Sequence, residues 1–168
     1  MGWLSDRYKK RAYLIIATVP IGIAGFLMLL LLPNDIASAP KKYGALYLAA
    51  TGLYSFLPLW LAWAVNNCAT ATVRASASGI VFTMGSLGGI CAPWIYLPSD
   101  AKNGYRHGHA VLTSFLCASW ACAVALLMFC KWENRQRDQG KRDYRLQGLD
   151  RQQELELSSK HPAFRYMD

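Results

Sequence analysis

The sequence predicts an all-α membrane protein with four transmembrane helices. Two observations carry this. Of its 168 residues, 54% are hydrophobic and only 17% are charged, against about a quarter charged in an ordinary soluble domain. The charges are also gathered into short blocks, leaving four long stretches with none. A bilayer selects that pattern, because a charge at its centre costs at least about 2.5–3.5 kcal/mol.

The first predicted span covers residues 13–32. At about 1.5 Å per residue such a helix reaches about 30 Å, the thickness of the hydrocarbon core. Pro20, Gly22 and Gly25 would break a soluble helix but are common in spanning ones, where neighbours satisfy the freed backbone. A secretory leader is the competing reading, since Ala37-Ser38-Ala39 looks like a cleavage site. The apolar run exceeds the roughly 7–15 residues of a leader, and Pro40 would follow the cut.

The second span, residues 43–65, is rich in aromatics: Tyr43, Tyr47, Tyr54, Phe56, Trp60 and Trp63. Tyr43 at one end and Trp60 and Trp63 near the other suit interfacial belts. It closes on Asn66 and Asn67, and the turn that follows carries Arg74 as its only charge. The third span, residues 76–97, holds Gly79, Gly85, Ser86, Gly88 and Gly89. Gly85 and Gly89 form a G-x-x-x-G, which lets another helix approach closely. After a polar loop that includes His107 and His109 comes the fourth span, residues 110–130. Residues 132–168 read as a largely disordered, solvated tail with a near balance of charge. Its first part is expected to continue as a helix, since Glu133 and Arg137 are spaced for an i,i+4 pair.

Several functions are excluded by composition. The net charge of +8 points to lipid rather than nucleic acid, because most basic residues flank the spans. The five cysteines include no C-x-x-C pair and read as small buried hydrophobes with free thiols. No metal cluster and no cofactor is implied, and no phosphate-binding loop supports a pump. No Asp, Glu, Lys, Arg or His lies inside any predicted span. A membrane enzyme is therefore not expected, and a proton-coupling or anion-binding charge would have to lie elsewhere.

Orientation follows from counting. The N-terminal block, the turn after the second span and the tail with Lys131 hold 14 of the 18 Lys and Arg residues. The other two loops hold Lys41, Lys42, Lys102 and Arg106. The positive-inside rule then places both termini in the cytoplasm.

The opening stretch, residues 1–12, adds a motif. GWLSDRYKKR resembles the loop signature of the major facilitator superfamily, G-x-L-[GAS]-D-R-[FY]-G-[RK]-[RK]-[RK]. It matches at Gly2, Leu4, Ser5, Asp6, Arg7, Tyr8, Lys10 and Arg11 and departs at Lys9. Trp63, Asn66 and Asn67 form a W-x-x-N-N, followed after six intervening residues by Arg74-Ala75. The third span carries G-S-L-G-G-I, and the chain closes on HPAFRYMD. Together these resemble the allantoate permease family of fungal anion:cation symporters, carriers of allantoate, nicotinate, pantothenate and similar anions.

That resemblance implies that the four spans correspond to the last four helices of a major facilitator transporter. It implies a conformational clasp at Gly2, Asp6, Arg7 and Arg11, against the alternative of a block that only sets orientation. Asn66, Asn67 and Arg74 are candidates for the substrate pathway or for helix packing, and Gly85 and Gly89 for packing. The implied function is part of a secondary transporter of a small organic anion in the plasma membrane. A chain supplying four helices of one half cannot enclose a substrate alone, so a truncated form that needs other helices is expected. The alternative is a non-transporting four-helix scaffold that packs with a partner.

Overall fold

A computed structural model describes residues 11–146, 148–150, 153–154 and 157–167, with the side chain of Phe56 left aside. Four long helices make up most of it: α1 (Arg11–Leu31), α2 (Ala39–Asn66), α3 (Ala71–Ile95) and α4 (Arg106–Asp138). Short 3-10 turns precede α2 (Ile36–Ser38) and α4 (Pro98–Asn103). No strand occurs among the described residues. All four helices are long and apolar enough to cross a membrane.

Helix α1 lies between α2 and α4. On one level Ala12, Ile15 and Val19 meet Leu59 and Trp63 of α2 and Ala123, Leu127 and Cys130 of α4. On the next, Phe26 and Leu29 meet Ala45, Ala49 and Leu116. The α1–α2 contact is close because both facing surfaces are small. A Cβ built on Gly25 would stand 2.8 Å from the Cα of Ala49, and one on Gly52 would collide with the backbone of Gly22. Backbone approach of this kind is what glycine and alanine stripes permit between membrane helices.

The proline of α1 is accommodated in the same contact zone. Pro20 has no N–H to donate to the carbonyl of Ile16 one turn back. The indole Nε1 of Trp120 on α4 donates to that oxygen at 3.1 Å. A neighbouring helix thus satisfies the backbone group that the proline frees.

Helix α3 differs from the other three. It starts cleanly, with the Thr70 side chain accepting from the N–H of Val73, a standard N-cap. Yet it has no buried residue along its length. Apart from the surrounding turns of α3 itself, nothing among the described residues lies within 4 Å of a Cβ built at Gly79, Gly85, Gly88 or Gly89. Ile80, Phe82, Met84, Ile90 and Trp94 are all exposed. The helix comes near both α2 and α4; just past its end, the Tyr96 hydroxyl lies 3.0 Å from Nδ1 of His109 and the Tyr96 ring covers Gly108.

Three sequence expectations shift. Helix α4 begins four residues before the predicted span, so His107 and His109 stand in its first turns rather than in a loop; its run on to Asp138 is the continuation expected from the Glu133–Arg137 spacing. The free cysteines are not uniformly buried: Cys130 is, but Cys91, Cys117 and Cys122 are exposed. They lie on outward apolar faces, where hydropathy alone does not distinguish lipid from core. Trp63, expected as an interfacial anchor, is only 3% exposed and belongs to the core.

Candidate functional site

Read from its ends, the bundle presents two polar clusters. The first gathers around the last residues of α2 and α4. Asn67 caps α2, and its Oδ1 accepts from the N–H of Met167 at 2.8 Å while its Nδ2 donates to the carbonyls of Trp63 and Met167. Trp63 Nε1 donates to the same Met167 carbonyl at 2.9 Å. One residue along, Asn134 of α4 pairs with Tyr166 through both backbone groups, accepting from its N–H and donating to its carbonyl. Residues 164–167 therefore form an extended strap joining the ends of α2 and α4.

The strap is held by a buried charge cluster. Arg137 donates to the carbonyls of Phe164 at 2.6 Å and Ser159 at 3.1 Å, and its guanidinium lies 4.8 Å from the centre of the Tyr166 ring. Its Nε donates to Glu133 Oε1 at 3.2 Å, which is the i,i+4 pair expected from spacing. Arg142 adds two more hydrogen bonds to the same carboxylate. Glu133 and Arg137 are each 4% exposed. A buried pair survives only when its remaining donors and acceptors are used, and the strap carbonyls supply that requirement. Helix α4 has 33 residues, about 50 Å at 1.5 Å each, so this end projects past a core of about 30 Å. There the hydrogen bond from Arg142, aided by Arg137 and opposed by burial, holds the Glu133 carboxyl below its ordinary range. Beneath the strap, Trp60, Trp63, Phe129, Cys130 and Tyr166 line an open apolar pocket of about 200 Å³.

The second cluster sits at the opposite end, where the α1–α2 and α3–α4 loops meet. A cavity of about 520 Å³ is lined there by Asn34, Lys42, Asp100, Lys102 and Arg106 among others.

The residues singled out from sequence are only partly brought together. Gly2, Asp6 and Arg7 lie outside the described residues, and Arg11 opens α1. Asn67 joins the strap, whereas Asn66 makes no side-chain hydrogen bond among the described residues. Arg74 is exposed in the first turn of α3, apart from the strap. Gly85 and Gly89 face open space. Sequence reasoning missed the glycines that do pack, Gly22, Gly25 and Gly52, although Ala45, Ala49 and Gly52 repeat at helical spacing. Among the described residues no group of three or more His, Cys, Asp or Glu could hold a metal.

The W-x-x-N-N and H-P-A-F-R-Y elements, nearly a hundred residues apart, meet in the strap through Trp63, Asn67 and residues 164–167. Comparison with known proteins gives the chain relatives. The chain is 32% identical to the MFS transporter prlL of a fungal species over 80% of its own length and 27% of that protein. It is 33% identical to an uncharacterized transporter of Schizosaccharomyces pombe over 79% of its length and 26% of that protein. A match to the high-affinity nicotinic acid transporter of Saccharomyces cerevisiae is weaker, at 28%, but covers 97% of the chain and 30% of that protein. No family model matches, and no solved structure does. The relatives are named as transporters, not enzymes. The chain spans about a quarter of the length of the first two, and over that stretch it is a homologue of the major facilitator superfamily transporters.

Proposed function

We propose that this chain is part of a secondary active transporter that moves a small organic anion across the plasma membrane, and that it works only together with further helices. The observation that carries the reading is the homology to transporters of which the chain matches about a quarter. The bareness of α3 agrees with it: a helix with no buried residue and an exposed glycine face is one side of a contact. In a two-half transporter the substrate lies between the halves near the midplane, and four helices supply one wall of such a pathway.

The anion class rests on two supports. One is the likeness to a nicotinic acid transporter over nearly the whole chain. The other is the allantoate permease pattern, whose W-x-x-N-N and H-P-x-F-R-Y elements share the strap. In this reading both termini are cytoplasmic, and Gly2, Asp6, Arg7 and Arg11 act as a conformational clasp. Gly85 and Gly89 receive another helix, while Asn66 and Arg74 remain candidates for the pathway. A scaffold that binds an unrelated membrane partner is the second reading, favoured by the same open face of α3.

The test begins with the transcript upstream of Met1. The reading expects an open frame continuing through about eight further apolar spans. It expects uptake of nicotinate, allantoate or pantothenate by the long product in cells lacking the corresponding carrier. The product starting at Met1 should give no uptake. A message that starts at Met1, with the chain recovered in a stable complex with another membrane protein, would favour the scaffold instead.

A further inference from the structure

We propose that the cavity between the two loops is an anion-binding vestibule that takes a small organic carboxylate before it enters the membrane. The proposal rests on the transport reading above for its biological use, but the site itself rests on geometry. Asn34 assembles it. Its Oδ1 accepts from Lys42 Nζ at 2.8 Å, and its Nδ2 donates to the carbonyl of Lys102 at 3.3 Å. The same side chain lies against Gly104, whose φ of +69° suits glycine and where a Cβ would stand 3.0 Å from Asn34 Cγ. One side chain thus stitches together two loops nearly seventy residues apart, and around it Lys42, Lys102 and Arg106 converge on one cavity.

Charge in the cavity is unbalanced. Asp100 is its single acidic lining residue, and its oxygens accept from the N–H of His107 at 3.2 Å and from Asn103 Nδ2 at 3.3 Å. It serves the first turn of α4 rather than a cation. None of Lys42, Lys102 and Arg106 has an ion-pair partner among the described residues. Arg106 donates to the carbonyl of Leu30, and a guanidinium has further donors in a fork that matches a carboxylate. Lys102 Nζ makes no hydrogen bond among the described residues. A cleft lined by one sign of charge raises the local concentration of counter-ions and speeds their arrival. The volume of about 520 Å³ falls within the range of small-molecule sites, about 300–1,000 Å³.

Position strengthens the argument. On the orientation proposed above, these cations stand on the face where Lys and Arg are disfavoured as orienting charges. A role in orientation therefore does not account for them, and a role toward an anionic solute does. The phosphate of an anionic lipid offers the same chemistry, so the test separates the two sources.

The full chain in phosphatidylcholine nanodiscs would be titrated with tritiated nicotinate, alone and with added sodium chloride. We expect weak, saturable, salt-sensitive binding. Lys102→Gln should weaken it several-fold, and the Lys102→Gln, Arg106→Gln pair should abolish it. Lys41→Gln, outside the cavity lining, should leave it unchanged. Lys102→Gln keeps the test decisive if the Arg106 change disturbs folding, since the Lys102 ammonium holds nothing in place. No saturable binding, or equal binding in all variants, overturns the vestibule. Retention of phosphatidylglycerol seen by native mass spectrometry, lost in the same variants and without nicotinate binding, overturns the solute in favour of a headgroup. Binding by the chain without uptake by any longer product sinks the transport reading and leaves the vestibule. Uptake whose KM is unmoved by Lys102→Gln sinks the vestibule and leaves transport.

Discussion

Helices α1 and α3 are close in length, 21 and 25 residues, and both carry an internal proline. One is buried against two neighbours and the other against none. Glycine content does not explain the difference, since α3 has four glycines and α1 has two. What separates them is complementarity. The glycines of α1 face Ala45, Ala49 and Gly52 on α2, so two bare surfaces meet and the backbones close up. Those of α3 have no bare surface opposite them among the described residues. In a membrane apolar surface alone does not drive association, because lipid is equally apolar; close packing and hydrogen bonds do. A small-residue stripe is therefore half of a contact. The α1–α2–α4 unit has both halves, and α3 has one.

Each change in the packed unit has a counterpart on α3 that should behave differently. The largest effect is expected at the strap. Glu133→Ala leaves the buried Arg137 without its carboxylate, which should cost about 3–5 kcal/mol. Arg74→Ala, exposed on α3, should change thermal stability by no more than about 0.5 kcal/mol. Equal losses in nanodisc melts would break the distinction. A smaller loss is expected for Asn67→Ala, which removes three hydrogen bonds to Trp63 and Met167. At about 0.5–1.5 kcal/mol net for each, the strap should loosen, read as faster proteolysis after residue 157. Ser78→Ala on α3, whose hydroxyl bonds only its own helix, should leave cleavage unchanged.

Trp120→Phe keeps the ring and removes the donor to Ile16. Side-chain hydrogen bonds between membrane helices average about 0.6 kcal/mol and reach about 1.7; the freed carbonyl beside Pro20 should place this one in the upper half of that range. Ser86→Ala on α3 should give no change in the same melt. The smallest effect within working conditions is that of pH. The Glu133 carboxyl is held low by its hydrogen bond from Arg142. Its contribution is therefore present above the unfolded value of about 4.3 and lost only as pH falls through the lower folded value. The melts of wild type and Glu133→Gln should keep a constant gap from pH 7 to 5 and converge below about pH 4.

Much of the architecture was legible because a bilayer writes it in simple terms. Runs free of charge long enough to cross reveal four helices, and the Glu133–Arg137 spacing reveals a pair on one helix face. Less was legible at the ends. The charged residues after Lys131 look like chain leaving the membrane, and although the Glu133–Arg137 spacing points to a continued helix, the strap was hidden. Hydropathy does not register an arginine whose donors are used by backbone carbonyls far along the chain. Trp63 reads as an interfacial anchor until Met167 is seen to accept its N–H. For the candidate residues, W-x-x-N-N and H-P-A-F-R-Y could be recognised as a pattern, but not that Trp63, Asn67 and residues 164–167 meet. The cavity cations were legible only as loop charges, because their convergence depends on Asn34 bridging two loops. Gly85 and Gly89 were legible as a packing motif and Gly25 and Gly52 were not. Spacing on one helix says nothing about the surface opposite.

The most direct test is the thermal stability of the chain in nanodiscs carrying either Gly25→Leu or Gly89→Leu. Both insert the same side chain into a small-residue face of a membrane helix. Gly25→Leu should drive α1 from α2 and lower stability by at least about 1–3 kcal/mol, with loss of a monodisperse product. Gly89→Leu should stay within about 0.5 kcal/mol of wild type. Equal destabilisation by the two would mean that α3 is packed within this chain after all, and would contradict the division drawn here.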